Sequence, residues 1–149
     1  MSGGGKVLLF SAGGLRLGVF LAEVGRLLVE DHLAPVPFSH PAMAGLLLAG
    51  DDGPVPVFDM RGLMGTAPPA HVPGATVALF PTAKGPVGLR LEQLLGTIAS
   101  YEPLSESAAD ALLDQAPDAV RATLTHAART PEGVFSFFSP DAFLARVGL

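Results

Sequence analysis

Short apolar runs broken by glycine and proline dominate the chain. Val7-Leu8-Leu9-Phe10 predicts a strand and Gly13-Gly14 a turn. Leu15-Arg16-Leu17-Gly18-Val19-Phe20-Leu21 places Leu15, Leu17, Val19 and Leu21 on one face, so Val7 to Leu21 predicts a β-hairpin. Leu27-Leu28-Val29 predicts a further strand. Helices are few. One starts at Ser105, a good N-cap followed by acid in the early turns, runs to Leu113 and is ended by Ala116-Pro117. A terminal helix covers Pro140 to Arg146, with Ser139 as cap and Pro140 at its first position.

The pattern repeats. At an offset of 70, Val77-Ala78-Leu79-Phe80 falls on Val7-Leu8-Leu9-Phe10, and Val87-Gly88-Leu89-Arg90-Leu91 on Leu17-Gly18-Val19-Phe20-Leu21. Leu94 then matches Val24, and Ile98 matches Leu28. At an offset of 80, Gly53-Pro54-Val55-Pro56-Val57-Phe58 aligns with Gly133-Val134-Phe135-Ser136-Phe137-Phe138, and Leu63 with Phe143. Both blocks keep their order, which points to an internal duplication. Short strands with Gly/Pro turns suggest small barrels or a sandwich. Each half has roughly 65 residues, marginal for a lone core, so the halves should pack together as one folding unit.

Composition sharpens this. Of 149 residues, 49% are hydrophobic and only 15% charged, which argues for a packed core and against disorder. So little charge leaves apolar or Gly/Pro-rich patches exposed, and such patches mark partner contacts. The net charge of −5 and the absence of a basic run argue against nucleic-acid binding. There is no cysteine, hence no disulfide, thiolate metal site or cysteine nucleophile. The longest charge-free stretches carry Pro35, Pro37 and Pro41, and Pro68, Pro69, Pro73 and Pro81, so no membrane insertion is expected. Ser2-Gly3-Gly4-Gly5 reads as a flexible leader without signal-peptide order, and a cytoplasmic location is expected.

No reactive centre emerges. His32, His40, His71 and His126 lack metal-ligand spacing, and no nucleophile elbow, Walker loop or dinucleotide fingerprint is present. Asp51-Asp52 with Gly53-Pro54 reads as a turn rather than an acid/base pair. No catalytic residue, cofactor or metal is expected, and binding is favoured over catalysis.

Two blocks carry a family resemblance: Pro41-Ala42-Met43-Ala44-Gly45-Leu46-Leu47-Leu48, and Val55-Pro56-Val57-Phe58-Asp59-Met60-Arg61-Gly62-Leu63-Met64-Gly65; the opening hairpin with Val24 and Leu27, and the runs Val77 to Phe80 and Val87 to Leu91, fit it too. They resemble CheW, the coupling protein of bacterial chemotaxis, whose sequences show a Pro-containing turn, a Gly-led strand, an Asn-Leu-Arg-Gly turn and a Val-Pro-Val-x-Asp-Leu-Arg block. The likeness runs from about Lys6 to Val147. It implies a mainly β fold of two small five-stranded, SH3-like barrel subdomains with a few short helices. The subdomains expected here cover residues 6–65 and 75–147. It also implies a non-enzymatic adaptor joining the chemoreceptor cytoplasmic tip, docked in the groove between subdomains, to the regulatory domain of a CheA-type histidine kinase. Pairing with other CheW-like domains builds rings in such arrays. The alternative is a β-barrel sensor holding a small apolar metabolite between its halves.

One departure bears on partners. In place of Asn-Leu-Arg-Gly the chain has Leu48-Ala49-Gly50-Asp51-Asp52-Gly53, one residue longer between Gly45 and Asp59, with acid where the family has Arg. Arg26 stands in the block where the family often carries Glu. A reversed pair between Arg26 and Asp51 or Asp52 would alter partner choice rather than stability, and leaves open whether both usual partners are kept. Asp59 is expected to cap a short helix beginning near Met60. Arg61 reads as either a solvated helix residue or an interface anchor. Val36, Phe38 and Met43 lie in the Pro-rich crossing, with Phe38 a core plug or groove lining. The residues expected to meet partners are Arg26, Val36, Phe38, Asp51, Asp52 and Arg61.

Overall fold

The computed structural model describes residues 5–30, 33–37, 39–48 and 53–148. Its strands are β1 (Val7–Ala12), β2 (Leu15–Phe20), β3 (Arg26–Val29), β4 (Leu33–Ala34), β5 (Met43–Leu48) and β6 (Pro54–Phe58), then β7 (Thr76–Phe80), β8 (Val87–Leu91), β9 (Gln93–Ile98), β10 (Glu102–Pro103), β11 (Leu124–Thr130) and β12 (Gly133–Phe138). The helices are α1 (Glu106–Leu113), α2 (Asp118–Arg121) and α3 (Pro140–Arg146), with 3-10 turns at Leu21–Glu23 and Met60–Met64. The fold is mainly β, in two sheets with few short helices, as the sequence suggests. Each sheet has six strands rather than five, because the two-residue strands β4 and β10 stand as separate members. Helix α2 has no counterpart in the pattern reading. Helix α1 ends at Leu113 with Asp114 as its C-cap, ahead of the Ala116-Pro117 stop expected from sequence, and Pro117 is the N-cap position of α2.

The strand order shows how the repeat is used. One sheet runs β10-β11-β12-β2-β1-β9, the other β3-β7-β8-β6-β5-β4. The first hairpin therefore sits among strands of the second half, and the hairpin β7–β8 among strands of the first. Each sheet draws strands from both sides of the 65–75 connection. The register repeats as well. Val7 faces Ile98 across β1 and β9, and Val77 faces Leu28 across β7 and β3, the same pair displaced by 70. Phe137 lies beside Gly18 in the parallel pair β12–β2, and Val57 beside Gly88 in the parallel pair β6–β8. Asp59 and Ser139, 80 apart, each cap the helical turn that follows: Asp59 accepts from the Arg61 amide and Ser139 from the Ala142 amide.

Burial explains why the hairpin strands are continuous apolar runs rather than alternating ones. Val7 and Leu9 join Ala128, Phe135 and Phe137 inside the first sheet, while Leu8 and Phe10 enter a larger layer shared with Phe58, Leu89, Phe138 and Phe143. In the same way Val77 and Leu79 pack with Val55 and Val57 inside the second sheet, and Ala78 and Phe80 turn to the shared layer. Both faces of each central hairpin are covered, and such strands read as unbroken hydrophobic runs.

Gly18 and Gly88 hold the crossing point of each sheet open. A Cβ at Gly18 would lie 2.7 Å from the Phe135 ring and 2.9 Å from Val7, and one at Gly88 2.7 Å from Val77. Gly18→Ala and Gly88→Ala are each expected to lower stability by about 1–3 kcal/mol, the usual cost of overpacking, read as a fall in the urea midpoint at unchanged slope.

Candidate functional site

Strand β8 is buried at every position, yet it carries Arg90, whose side chain is 1% exposed. A guanidinium there requires paired acceptors. Arg90 Nε donates to Glu30 Oε1 at 2.7 Å and Nη2 to Glu30 Oε2 at 3.1 Å. Nη1 donates to Asp59 Oδ2 at 3.0 Å and to the Pro69 carbonyl at 2.8 Å. Glu30 follows β3, and Asp59 follows β6, so the ends of two strands converge on the side of a third.

The cluster continues outward. Arg61 grips Asp59 through Nε at 3.0 Å and Nη2 at 2.6 Å, while its amide completes the cap at 2.9 Å. Glu30 Oε2 accepts the Val72 amide at 2.6 Å, and His71 Nδ1 lies 3.3 Å from the same oxygen. Pro69, His71 and Val72 belong to the connection between the halves, so the cluster ties that connection down. Two carboxylates face two guanidiniums, and the buried charge balances. Burial alone pushes the Asp59 carboxyl up, but hydrogen bonds from Arg61 and Arg90 outweigh it and hold the group below its usual 3.8. With its donors all aimed inward at Glu30, Asp59 and Pro69, Arg90 builds the fold and offers no proton-transfer or nucleophilic chemistry.

The second feature is an apolar trough of about 400 Å³ lined by Pro54, Pro56, Pro86, Val87, Leu144 and the turn around Lys84. It lies where α3, which follows the first sheet, meets β6 and the β7–β8 turn of the second. Val55 and Val57 point into the second sheet, so Pro54 and Pro56 face the other way, toward the seam. Pro86 is shared with a smaller hollow lined by Gly25, Arg26, Leu79 and Pro81. Proline keeps backbone donors out of this surface and leaves carbon exposed.

Of the residues expected from sequence to meet partners, Arg26 is exposed on the edge strand β3 and borders that hollow. Val36 is half-buried in the crossing before β5. Arg61 is committed to Asp59, and Asp59 caps the Met60–Met64 turn as expected. Phe38, Asp51 and Asp52 lie outside the described residues. The pattern reading missed Arg90, Glu30 and the trough. The signal for Arg90 was a lone charge inside a buried-type strand. Among the described residues no group of three metal-ligating side chains occurs, and no helix is long and apolar enough to cross a membrane.

No protein-family model and no curated protein sequence matches the chain. Among solved structures, it is similar to the scaffolding protein TtCheW from Thermoanaerobacter tengcongensis, with a TM-score of 0.68 over 94% of this chain and 86% of that one, at 15% identity. The fold is CheW-like. The sequence resemblance and the backbone therefore agree on architecture over nearly the whole length.

Removing one member of a buried ion cluster leaves its partners uncompensated. Arg90→Met is expected to lower unfolding free energy by about 3–5 kcal/mol, and adding Glu30→Gln should restore part of it, both measured by urea denaturation. Asp59, held below its unfolded-state value, contributes stability in full above about pH 4 and loses it as pH falls through the folded-state value. Wild-type stability should therefore fall as pH drops below about 4, and Asp59→Asn should flatten part of that slope while lowering stability at neutral pH.

Proposed function

We propose that this chain is a non-enzymatic adaptor of a bacterial chemosensory pathway, working in the cytoplasm and coupling a chemoreceptor tip to the regulatory domain of a CheA-type histidine kinase. The observation that carries the reading is the CheW-like fold with a proline-lined apolar trough at the seam between its sheets. An amphipathic helix laid into such a trough buries apolar surface on both sides. Lys84 at the rim favours a partner helix with acidic flanks. Arg26, with Asp51 and Asp52, would select among partners by charge, and Val36 and Phe38 are proposed as further partner contacts. A metabolite held between the halves, the alternative, would have to displace the packed layer that contains Phe58, Phe80, Phe138 and Phe143.

The test is a titration of the chain with the cognate receptor tip and, separately, the kinase regulatory domain. Binding at tens of micromolar or tighter is expected. Pro56→Asp and Leu144→Glu should weaken the receptor tip at least about tenfold, a loss of about 1.4 kcal/mol, and leave the kinase domain unaffected. Binding to neither partner overturns the reading. Arg26→Glu combined with Asp51→Arg and Asp52→Arg should redirect partner preference. Unchanged preference removes the charge-selection part alone.

A further inference from the structure

Arg16 stands apart from the other arginines whose contacts are described above. Its Nε is buried and has no hydrogen-bond partner, the only such side-chain nitrogen or oxygen among the described residues. Its Nη2 lies 3.7 Å from Glu132 Oε2, beyond hydrogen-bond reach, and Glu132 is 81% exposed. Arg90 shows what the same fork takes when it is filled: Nε and Nη2 hold the two oxygens of one carboxylate at 2.7 and 3.1 Å. Arg16 therefore carries the same fork with neither bond made: Nη2 stands too far from Glu132, and Nε is covered and unpartnered, so a small turn of the side chain toward the cleft would bring both donors to an incoming carboxylate.

The surroundings define the rest of the ligand. Arg16 lines a cleft of about 190 Å³ between the C-terminal end of α1 and the parallel pair β2–β12. Leu15, Leu112, Val134 and Phe135 supply apolar wall, and Gln115 a polar rim. Val134 is 41% exposed, unusual for a valine on an inner strand. Two carboxylates lie near the mouth. Glu132 faces Arg16 itself, and Glu92 is occupied by the Gly14 amide at 2.7 Å. An exposed carboxylate at 3.7 Å is a weak, screened competitor. The Arg16 side chain is 32% exposed, with Nε its covered part, and a carboxylate that reaches the fork forms charge-assisted hydrogen bonds with it.

We propose that this cleft binds a carboxylate carried on a short branched apolar stem, the acid head on the Arg16 fork and the stem against Leu112 and Val134. The acid is either a free short-chain monocarboxylate or the C-terminal residue of another chain, the chemistry being the same. The proposal stands whether or not the adaptor role does, since it uses none of the trough residues.

The test follows the Arg16 Nε–Hε resonance by NMR in the full chain. One arm titrates isovalerate against isovaleramide, the other a short peptide ending in Ala-Val with a free or an amidated C-terminus. Saturable movement with an acid, and none with its amide, is expected, and the tighter arm identifies the source. Arg16→Gln, checked for an unchanged fold by amide spectra, should weaken binding at least about tenfold. Glu132→Gln, which removes the competitor, should tighten it about two- to fivefold. No saturation up to about 50 mM of either acid, equal response to the amides, or unchanged binding in Arg16→Gln would overturn the proposal.

Discussion

The structure rests on hairpins that are apolar on both faces. A hairpin with one wet face can sit at the margin of a sheet. Val7–Phe20 and Thr76–Leu91 have no such face, because neighbours along β1 and β7 point alternately into a sheet interior and into the layer between sheets. Each hairpin therefore needs two covers. The chain supplies them by reciprocal exchange, each half inserting its hairpin among the strands of the other. The shared layer then becomes the largest apolar cluster among the described residues. Neither half keeps a complete sheet of its own, and the two sheets share one apolar layer.

The repeat also shows where the two sheets differ. Phe20 and Arg90 occupy the same place in the repeat. Phe20 stacks on Phe137 at 5.2 Å in one sheet. Arg90 binds Glu30 and Asp59 in the other. The aromatic pair needs only packing. The arginine needs two carboxylates, a cap and a carbonyl from the inter-half connection, and it holds that connection in place. A buried ion cluster is no stronger than a well-packed apolar one. What it adds is geometry, since Pro69, Val72, Glu30 and Asp59 are each held by directional hydrogen bonds.

Much of the fold was legible in the sequence because hydrophobic spacing reports it directly. The offsets of 70 and 80 reappear in strand registers, and Asp59 caps the turn it was expected to cap. Exchange of the hairpins was not legible, because periodicity says which face is buried and not which partner buries it. The site was less legible still. Arg26 and Arg61 were visible as charges, but the structure turns Arg61 inward onto Asp59. The trough is made by Pro54, Pro56, Pro86 and Leu144 from separate segments. Arg90 looked like one more strand residue, since its partners Glu30 and Asp59 lie 60 and 31 positions away.

The exchange has a consequence for assembly. The pairings that close the molecule on itself depend on the connection from Gly65 to Ala75 bringing β7–β8 back among β3–β6. Nothing in those pairings requires that both participants belong to one chain. Were the tether cut short or stiffened, the same strands could find their complements in a neighbour, and two molecules would emerge interlocked through the native strand pairings, while the contacts of Pro69, His71 and Val72 would have to be remade.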